Sequence, residues 1–371
     1  MKTLTCINPA TEEICGIYPL MEPMELDALI KESSKVQTKW ADSDLALRKT
    51  LFLNLAALLL EKKAYCATQI TSEMGKPISQ SLAEIEKCAL LCEFYAEEGQ
   101  AFLEPELIKT DFYKSYRTFE PIGIIFGIMP WNFPFWQVMR FAIPNIMAGN
   151  GVLLKHAPNC FGTAVVIEEL FINAGFPIGL FRSALVDVDV SPFIIHHPKI
   201  AAVTLTGSLG AGRAVAQEAG AALKKVVLEL GGNDPYIILK DANLKLAAEQ
   251  CVKSRLNNCG QVCIAAKRFI VVKEVQKEFE ALVLEAVKKY KSGSPKEDTT
   301  TLGPMARKDL RLHLHEQVQK AIAQGARCLA GGQLPLGPGF YYPITILLDV
   351  KPSSKAFEEE LFGPVICITP A

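Results

Sequence analysis

Apolar residues recur at helical spacing over the first hundred positions of the chain. Leu51, Leu55, Leu58 and Leu59 are one example, since residues three and four apart share one face of a helix. The same spacing predicts amphipathic helices at about residues 24–40, 45–74 and 78–102.

From residue 122 onward, short apolar runs alternate with helical segments. The predicted strands are 122–129, 151–154, 180–186, 201–205 and 225–230, and the predicted helices are 135–147, 162–174 and 208–222. This alternation predicts a parallel, doubly wound α/β sheet, the architecture of nucleotide-binding domains. After Gly231 the pattern resumes with longer helices, which indicates a second α/β domain with its boundary near that glycine.

Residues 121–154 are apolar enough to suggest a membrane span, because Arg140 is the only charged residue among them. Pro130, Pro134 and Pro144 divide the segment into short pieces. Buried parallel strands also form continuous apolar runs, because helices cover both faces of their sheet. We therefore expect interior sheet and helix here.

Composition narrows the possible functions. The chain has 371 residues, half of them hydrophobic, and a net charge of −1, so neither nucleic acid nor an anionic membrane is an expected partner. It contains eleven cysteines and no apolar secretory segment at its N-terminus, which predicts a cytoplasmic protein with reduced thiols. The cysteines and histidines do not follow zinc-ligand spacing, so no metal is expected.

Two of these cysteines, Cys259 and Cys263, lie in a polar, glycine-containing loop that leads into an apolar strand at 269–272. An exposed loop thiol can ionise and act as a nucleophile, whereas most cysteines are small buried hydrophobic residues. Cys259 could be a redox partner of Cys263, but a small residue that fills the turn is the favoured interpretation.

The segment 201–212 predicts a strand, a Gly-Ser turn and the start of a helix. Such a helix N-terminus favours an anion such as a pyrophosphate. Its glycines at 207, 210 and 212 do not have the usual dinucleotide spacing, so a plain connection is equally consistent.

Glu229 ends an apolar run at 225–230. A carboxyl group buried there would have a raised pKa and could act as a general base. A solvent-facing acid, or one paired with Lys224, is the alternative.

Asn132 lies in the segment PWNFP, after a buried strand and before a helix. Ligands bind at the carboxyl ends of strands in open sheets, and an amide N–H there can stabilise an oxyanion. An ordinary turn asparagine is the alternative.

The order of these motifs is more specific than any one of them. PWNFP is followed by a strand ending in Lys155, then by TGS, ELGG, GQ-x-C and the ELFGP segment at 360–364. In this order the chain resembles the aldehyde dehydrogenase superfamily over nearly its whole length. KHAPN at 155–159 and GQVCIAAKRF at 260–269 are similar to the succinate-semialdehyde dehydrogenase branch.

The resemblance implies a role for individual residues. Cys263 is the nucleophile and Glu229 the general base, while Asn132 and the Cys263 backbone N–H bind the oxyanion. Arg140 receives a substrate carboxylate, with an interdomain ion pair as the alternative. Lys155 contacts the adenosine ribose and Glu360 the nicotinamide ribose. Matching cofactor-binding positions are Pro130, Trp131, Lys155, Gly207, Ser208, Leu230, Gly231, Glu360 and Phe362.

The resemblance also implies domains, activity and partners. Residues 1–102 and 122–231 form the cofactor-binding domain, 103–121 contribute a strand of an oligomerisation hairpin, and 232–371 form the catalytic domain. The expected reaction oxidises an aldehyde, succinic semialdehyde in particular, with NAD or NADP through a thiohemiacetal and a thioester. We expect a homo-oligomer, either a dimer or a tetramer.

Three departures leave alternatives open. Members of the family continue beyond the position of Ala371, so the C-terminal segment is expected to be missing. A second carboxylate-binding arginine of some relatives is Asn257 here. Pro158 replaces a residue that helps select NAD or NADP, and a glycine expected near Val186 is absent. A CoA-acylating dehydrogenase, and an inactive chain that assembles with a full-length enzyme, are the competing hypotheses.

Overall fold

The computed structural model describes residues 2–371, which divide into two compact units. Unit 1 comprises the segment that ends at Cys6, Gly16–Gln69 and Leu82–Leu230, and unit 2 comprises Ile7–Cys15, Ile70–Ser81 and Gly231–Ala371. The resemblance implied that residues 7–15 and 70–81 belong to the cofactor-binding domain. In the structure they lie in unit 2, where Phe340 N donates to the Pro9 backbone carbonyl at 2.7 Å and Asn258 N donates to the Gln80 side-chain Oε1 at 2.9 Å.

The helices follow the apolar pattern closely. They are α1 Pro23–Ala41, α2 Leu45–Glu61, α3 Lys63–Met74, α4 Ile78–Glu98, α5 Trp136–Met147, α6 Phe161–Asn173, α7 Ser191–His196, α8 Leu209–Ala221, α9 Leu244–Leu256, α10 Gln276–Val287, α11 Lys308–Ala323 and α12 Lys355–Glu358. The single helix predicted for 45–74 is divided between α2 and α3. Lys62 interrupts it with φ −92° and ψ 15°, and its N–H donates back to the carbonyls of Leu58 and Leu60.

The strands are short, as the apolar runs predict. They are β1 Thr3–Ile7, β2 Ile14–Pro19, β3 Glu106–Ile108, β4 Ser115–Arg117, β5 Ile124–Met129, β6 Gly151–His156, β7 Phe181–Ser183, β8 Ile200–Thr206, β9 Lys225–Glu229, β10 Pro235–Ile238, β11 Arg268–Val271, β12 Arg327–Ala330, β13 Thr345–Leu348 and β14 Val365–Pro370.

Unit 1 is built on a five-stranded parallel sheet with the order β7-β6-β5-β8-β9. The chain runs outward from β5 to β7 and then returns to the other side of β5 to form β8 and β9. The predicted doubly wound fold is therefore confirmed. In such sheets ligands bind at the carboxyl ends of the strands where the winding reverses, here between β5 and β8.

The central strands of this sheet are buried on both faces. Phe126, Leu153 and Val203 from β5, β6 and β8 are each at most 1% exposed, and α1 packs Leu26 and Ile30 into the same core. Burial on both faces explains why this region is a continuous apolar run in the sequence.

Unit 2 contains a second five-stranded sheet with the order β10-β11-β14-β13-β12, in which only the edge pair β12–β13 is antiparallel. Its core is formed by Phe269 and Ile366 on the sheet and by Phe279 and Val318 on α10 and α11.

The hairpin β3–β4 is antiparallel, with Glu106 opposite Arg117. Its side chains are mostly exposed. Within residues 2–371, no helix is long and apolar enough to cross a membrane.

Candidate active site

The PWNFP turn of unit 1 leaves the carboxyl end of β5, next to the point where the winding reverses. Pro130 follows β5 directly, and Trp131 and Asn132 are 8% and 5% exposed. The turn is tied to the rest of the unit at its far end, because Glu84 Oε1 on α4 accepts the backbone N–H groups of Phe135 and Trp136 at 2.9 and 3.0 Å.

His156, at the end of β6, holds the same turn from the other side. Its Nε2 lies 3.0 Å from Pro134 O, and its Nδ1 accepts the Ala157 backbone N–H at 2.8 Å. These two contacts fix the tautomer with the proton on Nε2, which donates to the carbonyl. Burial lowers the pKa of His156 to about 4, so the ring is neutral near pH 7.

Lys155 precedes His156 on β6 and is 2% exposed. Burial lowers the pKa of its ammonium to about 8, and the charges of Asp187 and Asp189 oppose that shift. Asn159, just beyond the strand, has a buried amide nitrogen and oxygen that make no hydrogen bond within the described residues. Buried amide atoms without partners are a setting in which a polar ligand can provide the missing hydrogen bonds.

The Gly-Ser turn after β8 begins α8 at the same edge of the sheet. Ser208 Oγ accepts the Ala211 N–H at 3.3 Å and caps the helix. A Cβ at Gly210 would meet no atom within 4 Å, so the first turn of α8 is open to an anion. Gly212 allows close packing instead, because a Cβ there would lie 2.6 Å from Leu230 Cδ2. The unusual glycine spacing therefore combines an open helix start with close packing on Leu230.

Glu229 is not buried, so the solvent-facing alternative describes its side chain. Its side chain is 55% exposed, because β9 is an edge strand on which exposed residues alternate with partly buried ones. Its backbone carbonyl accepts the Gly207 N–H at 3.0 Å, which fixes the end of β9 beside the turn after β8.

Arg140 on α5 has Glu229 as its ion-pair partner, with Nη2 3.7 Å from Oε2. Both side chains are more than one third exposed, so such a pair contributes at most about 1 kcal/mol and can exchange readily with another carboxylate. The observed pair lies within unit 1, unlike the interdomain ion pair considered as the alternative, and its partner is the predicted base.

Cys263 of unit 2 lies on the loop before β11, as predicted. It is half-buried, and Ile264 beside it is exposed. The loop is shaped by Asn258, Cys259 and Gly260, which have φ of 50°, 55° and 72°. A Cβ at Gly260 would lie 2.1 Å from Gly363 O, so only glycine fits where this loop meets the ELFGP segment.

Cys259 is 1% exposed and packs within the core of unit 2. Burial raises the pKa of its thiol to about 12, which keeps it protonated and unreactive near neutral pH. This geometry supports the favoured interpretation of Cys259 as a small residue that fills the turn.

Glu360 and Phe362 are half-buried on the ELFGP segment. The Glu360 carboxylate lies against Gly231, where a Cβ would be 2.1 Å from Oε2. Any side chain at Gly231 would therefore displace this carboxylate.

Arg255, which the sequence analysis did not identify, holds this segment in place. It is fully buried near the end of α9, and its guanidinium donates to the carbonyls of Leu361, Gly363 and Val365 at 2.5 to 2.7 Å. Burial lowers the pKa of Arg255 to about 10, which leaves it charged near pH 7. Its sequence signal is an arginine on the apolar side of a helix, a pattern that favours a buried cation with polar partners.

The fold and these groups define an α/β protein with a dinucleotide-type sheet edge in unit 1 and a loop cysteine in unit 2. The chain belongs to the aldehyde dehydrogenase family, whose model matches residues 1–371. The predicted family and fold class are both confirmed.

Named relatives are succinate-semialdehyde dehydrogenases. The enzyme named Sad, from Escherichia coli K12 and described as using NAD(P)+, is 46% identical over 98% of this chain and 79% of its own length. A probable NADP+-dependent enzyme of Synechocystis is 42% identical over 98% of this chain and 80% of its own length. A crystal structure of the Streptococcus pyogenes enzyme in complex with NADP+ has a TM-score of 0.97 and 32% identity, and covers 99% of this chain and 81% of that one.

The buried His156 predicts an acid-sensitive unit 1. The unfolded chain binds a proton at a pKa of about 6.5 and the folded chain at about 4, so stability is lost as pH falls between these values. The difference amounts to about 3 kcal/mol of unfolding free energy. His156→Gln is expected to remove most of this pH dependence.

Denaturant unfolding at several pH values, followed by tryptophan fluorescence, measures this effect. All three tryptophans, at positions 40, 131 and 136, belong to unit 1. His196→Gln is the control, since His196 is exposed and pairs with Glu218. Equal acid sensitivity in His156→Gln and the wild type would contradict the prediction.

Proposed function

We propose that this chain oxidises succinic semialdehyde to succinate, with NAD+ or NADP+ as the hydride acceptor. The observation that carries the proposal is the similarity, over nearly the whole chain, to enzymes that bear this activity in their names. Membership of the aldehyde dehydrogenase family supplies the reaction type.

Cys263 is the proposed nucleophile. Its thiolate adds to the aldehyde carbon and forms a C–S bond, and the carbonyl oxygen becomes an oxyanion to which the Asn132 amide donates. A bound nicotinamide would supply the hydride acceptor for that carbon. The half-exposed position of Cys263 on its loop supports this role, because the thiol must be reachable by substrate.

Glu229 is the proposed base for release of the product. It takes a proton from water, whose oxygen attacks the acyl carbon, and the C–S bond breaks to restore the Cys263 thiolate. The exposure of Glu229 supports its contact with water. It does not support activation of this carboxyl group by burial.

The cofactor fits the residues at the carboxyl edge of the unit 1 sheet. The open start of α8 at Gly207 and Ser208 suits the pyrophosphate, and Lys155 with Asn159 suits a ribose or its phosphate. Trp131 and Leu230 belong to the same edge, while Glu360, Gly231 and Phe362 of unit 2 are proposed to hold the nicotinamide ribose.

Arg140 is proposed to bind the carboxylate of the substrate. Its exposed pair with Glu229 supports this role in a specific way, because a substrate carboxylate can replace the Glu229 carboxylate at the guanidinium. Substrate binding would then release the base for its reaction with water.

We further propose a cytoplasmic homo-oligomer. All eleven cysteines are free thiols, which suits a reducing compartment. The hairpin β3–β4 and its turn carry exposed apolar side chains, a composition typical of a subunit contact; they are Leu107, Ile108, Phe112, Tyr113, Tyr116 and Phe119.

Cys263→Ala tests the function directly. It is expected to abolish NADPH formation from succinic semialdehyde while NADP+ binding stays within about twofold of the wild type, since the lost sulfur takes part only in chemistry. The measurement is NADPH absorbance, with and without added CoA. Cys259→Ala is the control and should retain activity. Turnover by Cys263→Ala, or turnover that requires CoA, would overturn the proposal.

Arg140→Ala tests the substrate. Loss of a charged hydrogen bond is expected to lower kcat/KM for succinic semialdehyde by roughly 10- to 100-fold, mainly through KM. Butyraldehyde, which lacks the carboxylate, should be affected by less than about threefold. Arg140→Lys, which keeps the charge, should recover part of the loss. Equal losses with both aldehydes would exclude the carboxylate role.

Lys155 predicts that NADP+ affinity depends on pH. Protonated Lys155 attracts the phosphate, and its free-enzyme pKa is about 8, so affinity is expected to weaken as pH rises through that value. Lys155→Met should bind NADP+ more weakly, and its affinity should depend little on pH over this range.

Tryptophan quenching in a Cys263→Ala background measures the dissociation constant without interference from the thiol. Lys49→Met, at an exposed site, is the control. If the protein that keeps Lys155 binds NADP+ equally well far above pH 8, the proposed contact of Lys155 with the phosphate would be contradicted.

A further inference from the structure

Lys267 is a buried lysine in unit 2, four residues after Cys263. Its side chain is only 1% exposed. Its Nζ donates to Gly232 O at 2.6 Å and to the backbone carbonyl of Cys263, and it lies 2.7 Å from Glu360 Oε1. A lysine is seldom buried unless its charge and its hydrogens find partners, and here all of these partners belong to residues beside proposed catalytic or cofactor positions.

The three contacts differ in kind. The two carbonyls take hydrogen bonds, whereas Glu360 Oε1 is held by charge at close range and makes no hydrogen bond of its own within the described residues. The other oxygen of this carboxylate lies against Gly231. Lys267 and Gly231 together therefore determine the orientation of the Glu360 carboxylate.

The backbone of the lysine is itself anchored. The N–H groups of Lys267 and Arg268 both donate to Asp234 O at 3.1 Å, and Arg268 Nε donates to Asn233 O at 2.7 Å. The ammonium is thus presented from a fixed point at the start of β11, and it joins the Cys263 loop to the Gly231–Gly232 turn and the ELFGP segment.

Truncation of Lys267 would have three simultaneous effects. The carbonyls of Gly232 and Cys263 would lose a charged donor, and the Glu360 carboxylate would lose its counter-ion in a half-buried site. Buried polar groups without partners are unfavourable, so each segment would move to find water or another donor. An ordinary surface ion pair, such as Lys289 with Glu249 at 2.9 Å, has no such consequence.

We propose that Lys267 is a positioning residue that orients the Cys263 loop and the Glu360 carboxylate through one ammonium group. Because Lys267 contacts Cys263 and Glu360, this inference rests on the proposed dehydrogenase function. Removal of the lysine should therefore change both thiol reactivity and cofactor binding, two properties that would otherwise vary independently.

Lys267→Met tests this inference in two assays that need no turnover. In the cofactor-free enzyme, alkylation of Cys263 by iodoacetamide, followed by peptide mass spectrometry, is expected to slow about tenfold. The dissociation constant of NADP+, measured by calorimetry, is expected to rise about tenfold. Lys267→Arg keeps the charge and should recover part of both losses. Lys289→Met is the matched control and should change neither property.

A double-variant cycle separates positioning from a general loss of structure. If Lys267 acts on the cofactor through Glu360, Lys267→Met should weaken NADP+ binding much less in a Glu360→Gln background than in the wild type. Thermal unfolding of each variant verifies that it is folded. Additive effects, or wild-type alkylation and binding in folded Lys267→Met, would overturn the inference.

Glu360→Gln provides a second route if Lys267→Met does not fold. Neutralising Glu360 removes the counter-ion of Lys267, so alkylation of Cys263 in the cofactor-free enzyme should change by severalfold. An unchanged rate would overturn the inference. If succinic semialdehyde proves not to be a substrate, the proposed function fails, but the alkylation and binding assays still decide the role of Lys267.

Discussion

The geometry of the candidate site depends on buried cationic and imidazole side chains whose hydrogens are directed at main-chain carbonyls. Arg255 binds three carbonyls of the ELFGP segment, and Lys267 binds those of Gly232 and Cys263. Arg48 does the same in unit 1, where it donates to the carbonyls of Met147 and Trp40. Loops cannot satisfy their carbonyls within themselves as helices do, so a buried donor gives an irregular segment a single conformation.

The parallel sheet of unit 1 supplies a second constraint. Because β5 is central and the chain leaves it in both directions, the PWNFP turn and the Gly-Ser turn emerge side by side at one edge. Lys155 lies near the end of β6, the neighbouring strand on the other side of β5. Strand order thus gathers residues that are far apart in the sequence, and it places a helix start, a buried cation and a fixed turn at one edge of the sheet.

The contrast between Cys259 and Cys263 shows how burial separates two thiols on one loop. Cys259 packs into an apolar core, where burial raises its pKa to about 12, while Cys263 remains half-exposed. Glu229 shows how the position of a strand determines the exposure of a carboxyl group. Its apolar neighbours left a buried acid and a solvent-facing acid equally open, and the edge strand exposes the carboxylate to solvent beside Arg140. The same local pattern is compatible with both outcomes, because burial depends on the position of a strand within its sheet.

The sequence by itself determined the periodic elements, the doubly wound class and the order of motifs that identifies the family, because these depend on local spacing and on residue identity. One error lies where local spacing carries no information, at Lys62, which divides one predicted helix. Only the tertiary structure revealed the pair of Arg140 with Glu229 and the contacts of Arg255, His156 and Lys267. Each of these contacts joins a side chain to a carbonyl or carboxylate that is distant in the sequence. Strand order and loop path determine which groups come within contact distance.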